Sequence, residues 1–214
     1  MPSGTTTAKN NRAFFELDCL KLSVPSSVYF PREDSVLLSS SVQKFASGKV
    51  LDLGCGSGIQ GITSAKRKEV SEVVFADVNE DALETAKENC KINAIKKPVS
   101  FLKSNLFSNL KKETFNTIIF NPPYLPTEKS EKIPGKINSA LDGGTSGRKT
   151  TDAFLRSFEP HLNSNGILLL LQSSLSDYEK TISILEKKGF SVSIEGTSSF
   201  FFEKLVVLLV TKRK

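Results

Sequence analysis

The fold of this chain is decided by the stretch VLDLGCGSG at residues 50–58. Its first four residues predict a buried strand, and the three glycines after them predict a tight turn into a helix near residues 59–68. Glycine has no Cβ atom, so a ligand can approach such a loop closely. The stretch therefore predicts a ligand site at the carboxyl end of a strand, with Asp52 placed to meet a cationic group.

Strand and helix patterns alternate along the rest of the chain. Apolar runs predict further strands at 73–76, 99–103, 115–120 and 166–172, and helical patterns occur at 33–45, after Asn79, near 148–161 and at 176–188. The last two strands, 190–195 and 204–211, have no helix between them and predict an antiparallel pair. The sequence thus predicts an α/β fold with a doubly wound, mostly parallel seven-stranded sheet that ends in an antiparallel C-terminal hairpin.

Local signals refine this outline. Residues 14–29 predict a strand or a hairpin. Asn79 can cap the helix that follows it. Ser176 and Glu179 have the spacing of a capping box, and Gly189 can end that last helix in a left-handed conformation.

Composition favours one compact domain. The chain has 214 residues, of which 38% are hydrophobic and 24% are charged, as is usual for a globular protein. We predict a partly mobile N-terminal extension at 1–28 and a single domain at 29–214. No segment approaches the roughly 18–20 apolar residues that span a bilayer, and the N-terminus lacks an apolar run of signal-peptide length. The expected location is the cytoplasm, without a membrane partner.

Charge and cysteine content exclude some functions. The formal net charge is +6, but the basic residues are dispersed, so the charge alone is weak support for a nucleic-acid partner. Cys19, Cys55 and Cys90 form no CxxC pair, and His161 is the one histidine. We therefore expect no metal site and three buried thiols in a reducing compartment.

A second acidic signal is Asp77, which ends the strand after the glycine loop. A carboxylate at this position can accept hydrogen bonds from the two hydroxyls of a ribose. The alternative is a carboxylate that only serves the entry to the next helix. Together with the glycine loop, Asp77 favours a ribonucleoside ligand.

The third signal is the sequence Asn121-Pro122-Pro123-Tyr124, directly after the strand at 115–120. Two prolines end that strand and fix the backbone, which holds the Asn121 side chain and the Pro122 carbonyl in place. Two acceptors beside an aromatic ring suit a planar –NH₂ group, whose nitrogen they can orient toward an electrophile. The alternative, that this sequence is merely a turn, is less favoured because of its place in the pattern.

These motifs resemble those of class I S-adenosylmethionine-dependent methyltransferases that act on an amino nitrogen. Further matches are YFPREDS at 29–35, GGTSGR at 143–148 with Asp152 and Phe154, and Glu203-Lys204-Leu205. They resemble the HemK-related branch that methylates glutamine N5 in archaeal and eukaryotic release factors. The resemblance implies the Rossmann-like class I methyltransferase fold, S-adenosylmethionine as cofactor, S-adenosylhomocysteine as product and no metal.

The resemblance also implies a role for individual residues. The catalytic group is Asn121, Pro122 and Tyr124: the first two would hold the substrate amide, and Tyr124 would lie beside it. The residues implied to bind the cofactor are Ser35 at its carboxylate, Asp52 at its amino group, Gly54, Gly56 and Gly58 along its methionine part, Asp77 at the ribose, Asn105 and Leu106 at the adenine, and also Val78 and Asn121. Asn105 stands where the family often has aspartate. Asparagine keeps a hydrogen-bond acceptor at this position but lacks the negative charge.

The implied partners are a class 1 release factor, methylated on the Gln of its Gly-Gly-Gln loop, and a small zinc-binding activator subunit that forms a heterodimer. The run Phe200-Phe201-Phe202 can face the substrate, face a partner or pack in the core. Three other functions stay open: methylation of adenine or guanine amino groups in DNA or RNA, protein lysine methylation, and a binding subunit without activity. The chain leaves little length for a nucleic-acid module, so nucleic acid is the less favoured partner.

Overall fold

Nine strands organise the computed structural model, which describes residues 12–126 and 143–213. In chain order they are β1 (Arg12–Leu17), β2 (Leu20–Pro25), β3 (Gly48–Leu53), β4 (Val70–Asp77), β5 (Val99–Lys103), β6 (Phe115–Phe120), β7 (Leu162–Ser173), β8 (Phe190–Ser199) and β9 (Lys204–Lys212). β1 and β2 form a separate antiparallel hairpin, as the pattern at 14–29 allowed. The other seven form one sheet in the order β5-β4-β3-β6-β7-β9-β8.

The sheet confirms the predicted architecture. β3 to β7 pair in parallel, whereas β9 pairs antiparallel with both β7 and β8. The final strand therefore inserts between its predecessor and the body of the sheet. Parallel strands in the middle of such a sheet are apolar on both faces because helices cover both.

Within the described residues, five helices supply that cover: α1 (Glu33–Phe45), α2 (Ile59–Ala65), α3 (Glu80–Ile92), α4 (Lys149–Ser157) and α5 (Tyr178–Lys187). Leu38, Ile62 and Ala86 bring the first three helices into a core on one face of the sheet. Phe154 and Leu185 bring α4 and α5 into a second core on the other face. Each face thus buries its own apolar layer, which stabilises the sheet from both sides.

The helix ends follow the sequence in part. Asn79 caps α3 by accepting a hydrogen bond from the Asp81 amide, as predicted. Gly189 follows α5 with φ +86°, also as predicted. The capping box at Ser176 is wrong, because Asp177 caps α5 by accepting from the Lys180 amide at 3.0 Å. Ser176 belongs to a 3-10 turn and donates its hydroxyl to the Ser173 carbonyl instead.

Sheet order reverses between β3 and β6, and this reversal positions the site. The two strands pair in parallel with Leu53 opposite Phe120. The residues that follow, Gly54 and Asn121, therefore leave the sheet side by side. In open α/β sheets, ligands bind in the crevice beyond such a reversal point.

The N-terminal hairpin packs on α3 and joins the first core through Phe15, Leu22 and Val24. A buried side chain, Asn89 of α3, fastens it there: its Oδ1 accepts from the Ser23 amide at 2.9 Å. The hairpin is thus part of the packed structure, although the sequence assigned it to an extension. The first part of the predicted, partly mobile extension at 1–28, residues 1–11, lies outside the described residues, and the division at 28/29 stays a prediction.

Within residues 12–126 and 143–213, no helix has the length and apolar character needed to cross a membrane. The same residues contain no group of three or more histidine, cysteine or acidic side chains able to hold a metal ion. His161 instead places Nδ1 2.8 Å from the Glu113 carbonyl and stacks on Phe107. Cys55 and Cys90 are buried as expected, but Cys19 is exposed because it lies in the turn between β1 and β2.

Replacing Asn89 with alanine should destabilise the fold through the hairpin. The Asn89 amide also donates to the Ser57 carbonyl at 2.9 Å, so its loss leaves buried backbone groups at two places without a partner. We expect urea unfolding to show a loss of about 1–3 kcal/mol. Asn93→Ala is the matched control, because Asn93 makes similar bonds to Lys21 at an exposed position. Equal losses in the two variants would contradict this role for Asn89.

Candidate active site

A cavity of about 400 Å³ opens at the carboxyl ends of β3, β4 and β6. Its lining contains every predicted site residue except Gly58: Ser35, Asp52, Gly54, Gly56, Asp77, Val78, Asn105, Leu106, Asn121, Pro122 and Tyr124. The structure therefore brings together residues from five separate stretches of sequence. The volume is in the range of a small-molecule site.

The glycines of the loop differ in what they contact: two line the cavity, and the third permits close packing of helices. Gly54 and Gly56 line the cavity and have φ of +64° and +51°, a region that favours glycine. Gly58 lies at the start of α2, and a Cβ atom there would come within 2.9 Å of the Ala86 Cβ. Its missing side chain allows α2 and α3 to approach each other, so the structure does not place it against the ligand space.

Asp77 is fixed at the end of β4 by two backbone amides. Its Oδ2 accepts from the Gly56 amide at 3.0 Å, and its Oδ1 accepts from the Asn79 amide at 2.8 Å. Burial raises the pKa of this carboxyl, and the two hydrogen bonds oppose that shift. One carboxylate thus ties the glycine loop to the cap of α3 while it faces the cavity.

Asp52 is the second buried carboxylate, with 2% of its surface exposed. Its Oδ2 accepts from the Gly61 amide in the first turns of α2 at 2.7 Å. Burial raises its pKa well above the usual value, and the nearby Asp77 adds to the shift. Among the described residues neither carboxylate has a cationic partner. A ligand that brings a positive charge or hydroxyl donors would satisfy both.

The far end of the cavity is formed by the loop after β5. Asn105 and Leu106 line it there, and Leu106 has φ +49°. The Ser104 hydroxyl donates to the Leu106 carbonyl at 2.7 Å, which holds the loop in this conformation. Val78, which is half exposed, lies on the neighbouring loop. Apolar side chains here suit the faces of a flat ring system.

At the near end, the Asn121 side chain is oriented by Asp34. Its Nδ2 donates to Asp34 Oδ2 at 2.8 Å. Its Oδ1 is buried and accepts no hydrogen bond from any described residue. An unpaired buried acceptor costs free energy unless a ligand supplies a donor, which makes this oxygen a candidate acceptor for an N–H group of a ligand.

Sequence reasoning missed Asp34. The residue belongs to the stretch YFPREDS that carried the family resemblance, but that stretch gave no role for the aspartate. Ser35, to which a ligand contact was assigned, lines the cavity and also donates its amide and hydroxyl to Asp34 Oδ1. The motif contained Asp34, but the sequence did not indicate that Asp34 contacts Asn121.

Tyr124 and Tyr29 flank the oriented amide. Burial raises the pKa of both phenols, and the Asp34 carboxylate adds to each shift. Both therefore stay protonated at neutral pH. Tyr29 donates its hydroxyl to Asp34 at 3.3 Å.

The stretch GGTSGR at 143–148 supports the Asn121-Pro122-Pro123-Tyr124 loop from behind. A Cβ atom on Gly147 would come within 2.4 Å of the Tyr124 carbonyl, and one on Gly143 within 2.8 Å of the Leu125 carbonyl. Buried Arg148 forms an ion pair with Asp152 at 2.9 Å. The glycines of this stretch thus permit close backbone packing behind the site.

A second, open groove of about 790 Å³ adjoins the cavity. Tyr29, Asp34, Tyr124 and Leu125 line both spaces, so the groove leads to the oriented amide. Its walls are the β1–β2 hairpin and the turn between β8 and β9: Arg12, Ala13, Val24, Pro25, Phe200, Glu203 and Leu205.

All three phenylalanines in that turn are exposed, Phe201 and Phe202 most of all. Phe201 has 92% and Phe202 has 83% of its surface in contact with solvent, while Phe200 lines the groove. Core packing, one of the predicted alternatives, is therefore wrong for Phe201 and Phe202. Large exposed aromatic side chains beside a groove are typical of an interaction surface.

Comparison with known proteins gives the class. The family model described as the methyltransferase small domain matches residues 33–137. The Mtq2–Trm112 complex of E. cuniculi, responsible for methylation of the eRF1 translation termination factor, has a similar fold. The TM-score is 0.67 at 25% identity, over 87% of this chain and 99% of that one. The fold and site thus define a class I methyltransferase.

Relatives narrow the class to a family. A protein of Methanocaldococcus jannaschii, provisionally named a protein N5-glutamine methyltransferase, is 39% identical over 193 residues, which is 90% of this chain and 96% of the relative. The release factor glutamine methyltransferase of Gloeobacter violaceus is 31% identical over 160 residues, 71% of this chain and 56% of that longer protein. The chain belongs to the family of protein N5-glutamine methyltransferases.

Substituting Asp52 should show how much the burial of its carboxylate lowers the stability of the folded protein. Because the folded-state pKa is raised, the folded chain binds a proton more tightly than the unfolded chain does. The stability that Asp52 contributes is therefore full below about pH 4 and is lost as the pH rises through the raised pKa. Asp52→Asn should raise the Tm of the free protein at neutral pH by roughly 2–4 °C, which corresponds to about 1 kcal/mol.

The gain should disappear on acidification toward about pH 4, where the wild-type carboxyl also becomes neutral. Asp18→Asn is the matched control, since Asp18 is an exposed carboxylate in the hairpin turn and should leave the Tm unchanged. Calorimetry across the pH range checks this prediction. A Tm gain independent of pH would contradict it.

Proposed function

We propose that this chain methylates a side-chain amide nitrogen of a protein, the glutamine in the Gly-Gly-Gln loop of a class 1 release factor, with S-adenosylmethionine as the methyl donor. The observation that carries the proposal is the orientation of Asn121, whose Oδ1 is buried and unpaired while its Nδ2 is bonded to Asp34. The names of the relatives from Gloeobacter and E. cuniculi support the choice of substrate.

An amide substrate fits the chemistry of this position. The nitrogen of a primary amide donates two N–H bonds but is a poor nucleophile because its lone pair is delocalised. Acceptors at Asn121 Oδ1 and the Pro122 carbonyl would hold both N–H bonds and direct the nitrogen toward the cofactor cavity. A protonated lysine has no lone pair to offer at the same place, which makes lysine methylation the weaker alternative.

The cavity suits S-adenosylmethionine. Asp52 would meet the ammonium group, Ser35 the carboxylate, and Gly54 and Gly56 would permit the methionine chain to approach. Asp77 and Val78 would hold the ribose, while Asn105 and Leu106 would flank the adenine. When bound, this cofactor supplies an electrophilic methyl group on a sulfonium sulfur, and its transfer to nitrogen returns the bonding pair to sulfur and a proton to solvent.

The groove favours a polypeptide over a nucleic acid. Its lining carries two arginines, Arg12 and Arg32, against three carboxylates, Glu33, Asp34 and Glu203. Arg12 is already paired with Glu88 at 2.6 Å. A nucleic-acid channel needs cations free to contact phosphates. The mixed, aromatic-rimmed groove suits a loop of a protein instead, and a release factor as substrate would place the enzyme in the cytoplasm.

A small zinc-binding activator subunit is part of the proposal. The E. cuniculi structure pairs Mtq2 with Trm112, and this chain covers nearly all of the matched protein. In this chain β5 is an edge strand of the sheet, and an edge strand can pair with another chain. A heterodimer through such an edge would cover apolar surface and leave the groove open.

A labelled-methyl assay tests the proposed function. Purified chain, with and without the activator subunit, receives the recombinant release factor, its Gln-substituted form, duplex and single-stranded DNA, RNA, or a lysine-containing peptide. We expect label on the release factor and none on its Gln-substituted form. Label that persists on the substituted factor, or that appears only on nucleic acid or lysine peptide, would overturn the proposal.

Asn121→Ala gives the site-specific arm of that assay. Removing the acceptor should lower kcat by roughly 10²–10³-fold, as losses of comparable hydrogen-bonding groups do. Binding of S-adenosylmethionine should largely survive, whereas Asp52→Asn should weaken it. Asn165→Ala, at an exposed position of β7, is the matched control and should be fully active.

Exchanging Phe201 and Phe202 for serine should weaken substrate docking. The two rings follow Phe200, which lines the groove, and neither lines the cavity, so the KM for the release factor should rise roughly tenfold or more while cofactor affinity stays unchanged. A pull-down with the activator separates this role from a partner-facing one. Normal KM together with lost activator binding would contradict substrate docking at these rings.

A further inference from the structure

We propose that Asp34 is a positioning residue that fixes the orientation of the Asn121 amide, so that oxygen rather than nitrogen faces the reacting group. The inference rests on the proposed function and extends it to a residue outside the Asn121-Pro122-Pro123-Tyr124 loop. Asp34 lies in the first turn of α1, 87 residues from Asn121, and has 3% of its surface exposed.

The Asp34 carboxylate is surrounded by donors. Oδ1 accepts from the Ser35 amide at 2.6 Å and from its hydroxyl at 3.1 Å. Oδ2 accepts from Asn121 Nδ2 at 2.8 Å and from the Tyr29 hydroxyl at 3.3 Å. The location at the amino end of α1 also favours a negative charge. A carboxylate in this place can only accept, so it admits the NH₂ end of Asn121 and excludes the oxygen end.

This exclusion matters because a side-chain amide has two orientations of nearly identical shape. Packing alone does not distinguish the two orientations, although they present opposite hydrogen-bonding groups to the substrate. With NH₂ toward Asp34, Asn121 offers the substrate an acceptor. With the amide reversed, it would offer the substrate nitrogen a donor and lose the N–H bond that holds it.

The support for Asp34 extends to the glycine loop. The neighbouring Ser35 carbonyl accepts from Gln60 Nε2 at 2.9 Å and from the Ser39 hydroxyl at 2.8 Å. Gln60 belongs to α2, the helix that follows the glycine loop. The first turn of α1 is thereby held against the element that shapes the cofactor cavity.

Asp34→Asn tests the role with almost no change in shape. The Ser35 amide still needs an acceptor, so the new side chain turns its oxygen toward Ser35 and its NH₂ toward Asn121. Asn121 then reverses and presents NH₂ to the substrate. We expect kcat on the release factor to fall about 100-fold, with KM and cofactor affinity each within about threefold of wild type.

Exchanging the carboxylate and the amide between positions 34 and 121 should restore part of the activity. Asn121→Asp alone places two carboxylates at a hydrogen-bond distance and should be inactive or nearly so. In the double variant Asp34→Asn/Asn121→Asp, the new amide at 34 donates to one oxygen at 121 and leaves the other as an acceptor for the substrate. The double variant should therefore be at least about tenfold more active than either single variant, a coupling that additive damage to the fold does not produce.

Ser40→Ala is the control on the same helix. It removes the bond from the Ser40 hydroxyl to the Val36 carbonyl at 3.2 Å, at an exposed position of α1, and leaves the Asp34–Asn121 pair, so kcat should stay within about threefold of wild type. Wild-type kcat in Asp34→Asn, or a double variant no better than the product of the single losses, would overturn the positioning role.

An NMR measurement tests the positioning role of Asp34 without using the substrate. The side-chain NH₂ signals of Asn121, identified by their loss in Asn121→Asp, should exchange slowly with solvent in the wild type and change position in Asp34→Asn. This measurement needs no methylation. If the wild type fails to methylate the release factor, the proposed function is wrong, and the NMR result still decides the positioning role: unchanged signals in Asp34→Asn would overturn it.

Discussion

The site depends on the parallel pairing of β3 with β6. This pairing sets Leu53 opposite Phe120, so the glycine loop and the Asn121-Pro122-Pro123-Tyr124 loop leave the sheet together. β4 lies next to β3, and β7 lies next to β6. The connections that leave β3 and β6 therefore run in opposite directions along the sheet, and a crevice opens between these two connections. A slip in this register would separate the carboxylates from the oriented amide, whatever side chains the loops carried.

The sequence was sufficient for the parts of the site that lie at strand ends. Asp77 and Asn121 could be placed because each follows a recognisable apolar strand, and parallel strands end at one edge of a sheet. Asp34 could not be paired with Asn121 in this way, because the contact depends on how the first turn of α1 packs against the sheet. Gly58 was assigned to the ligand by the family resemblance, whereas in the structure the space beside it is occupied by Ala86.

The cavity concentrates groups that are poorly satisfied in the free chain. Asp52 and Asp77 are carboxylates with raised pKa values, and Asn121 Oδ1 lacks a donor among the described residues. Elsewhere in the core, buried polar groups such as Thr181 and Gln172 bond to each other at 2.8 Å. Such a contrast is expected where stability is given up for binding.

Asn89 connects the wall of the groove to the glycine loop of the cavity. One end of its amide holds Ser23 of β2, the strand whose Val24 and Pro25 form a wall of the groove, and the other end holds Ser57 in the glycine loop. Ordering either segment therefore restrains the other through a single buried side chain. We therefore expect that ordering of the glycine loop by a ligand in the cavity would lower the entropy that the groove wall has left to lose when a second ligand binds.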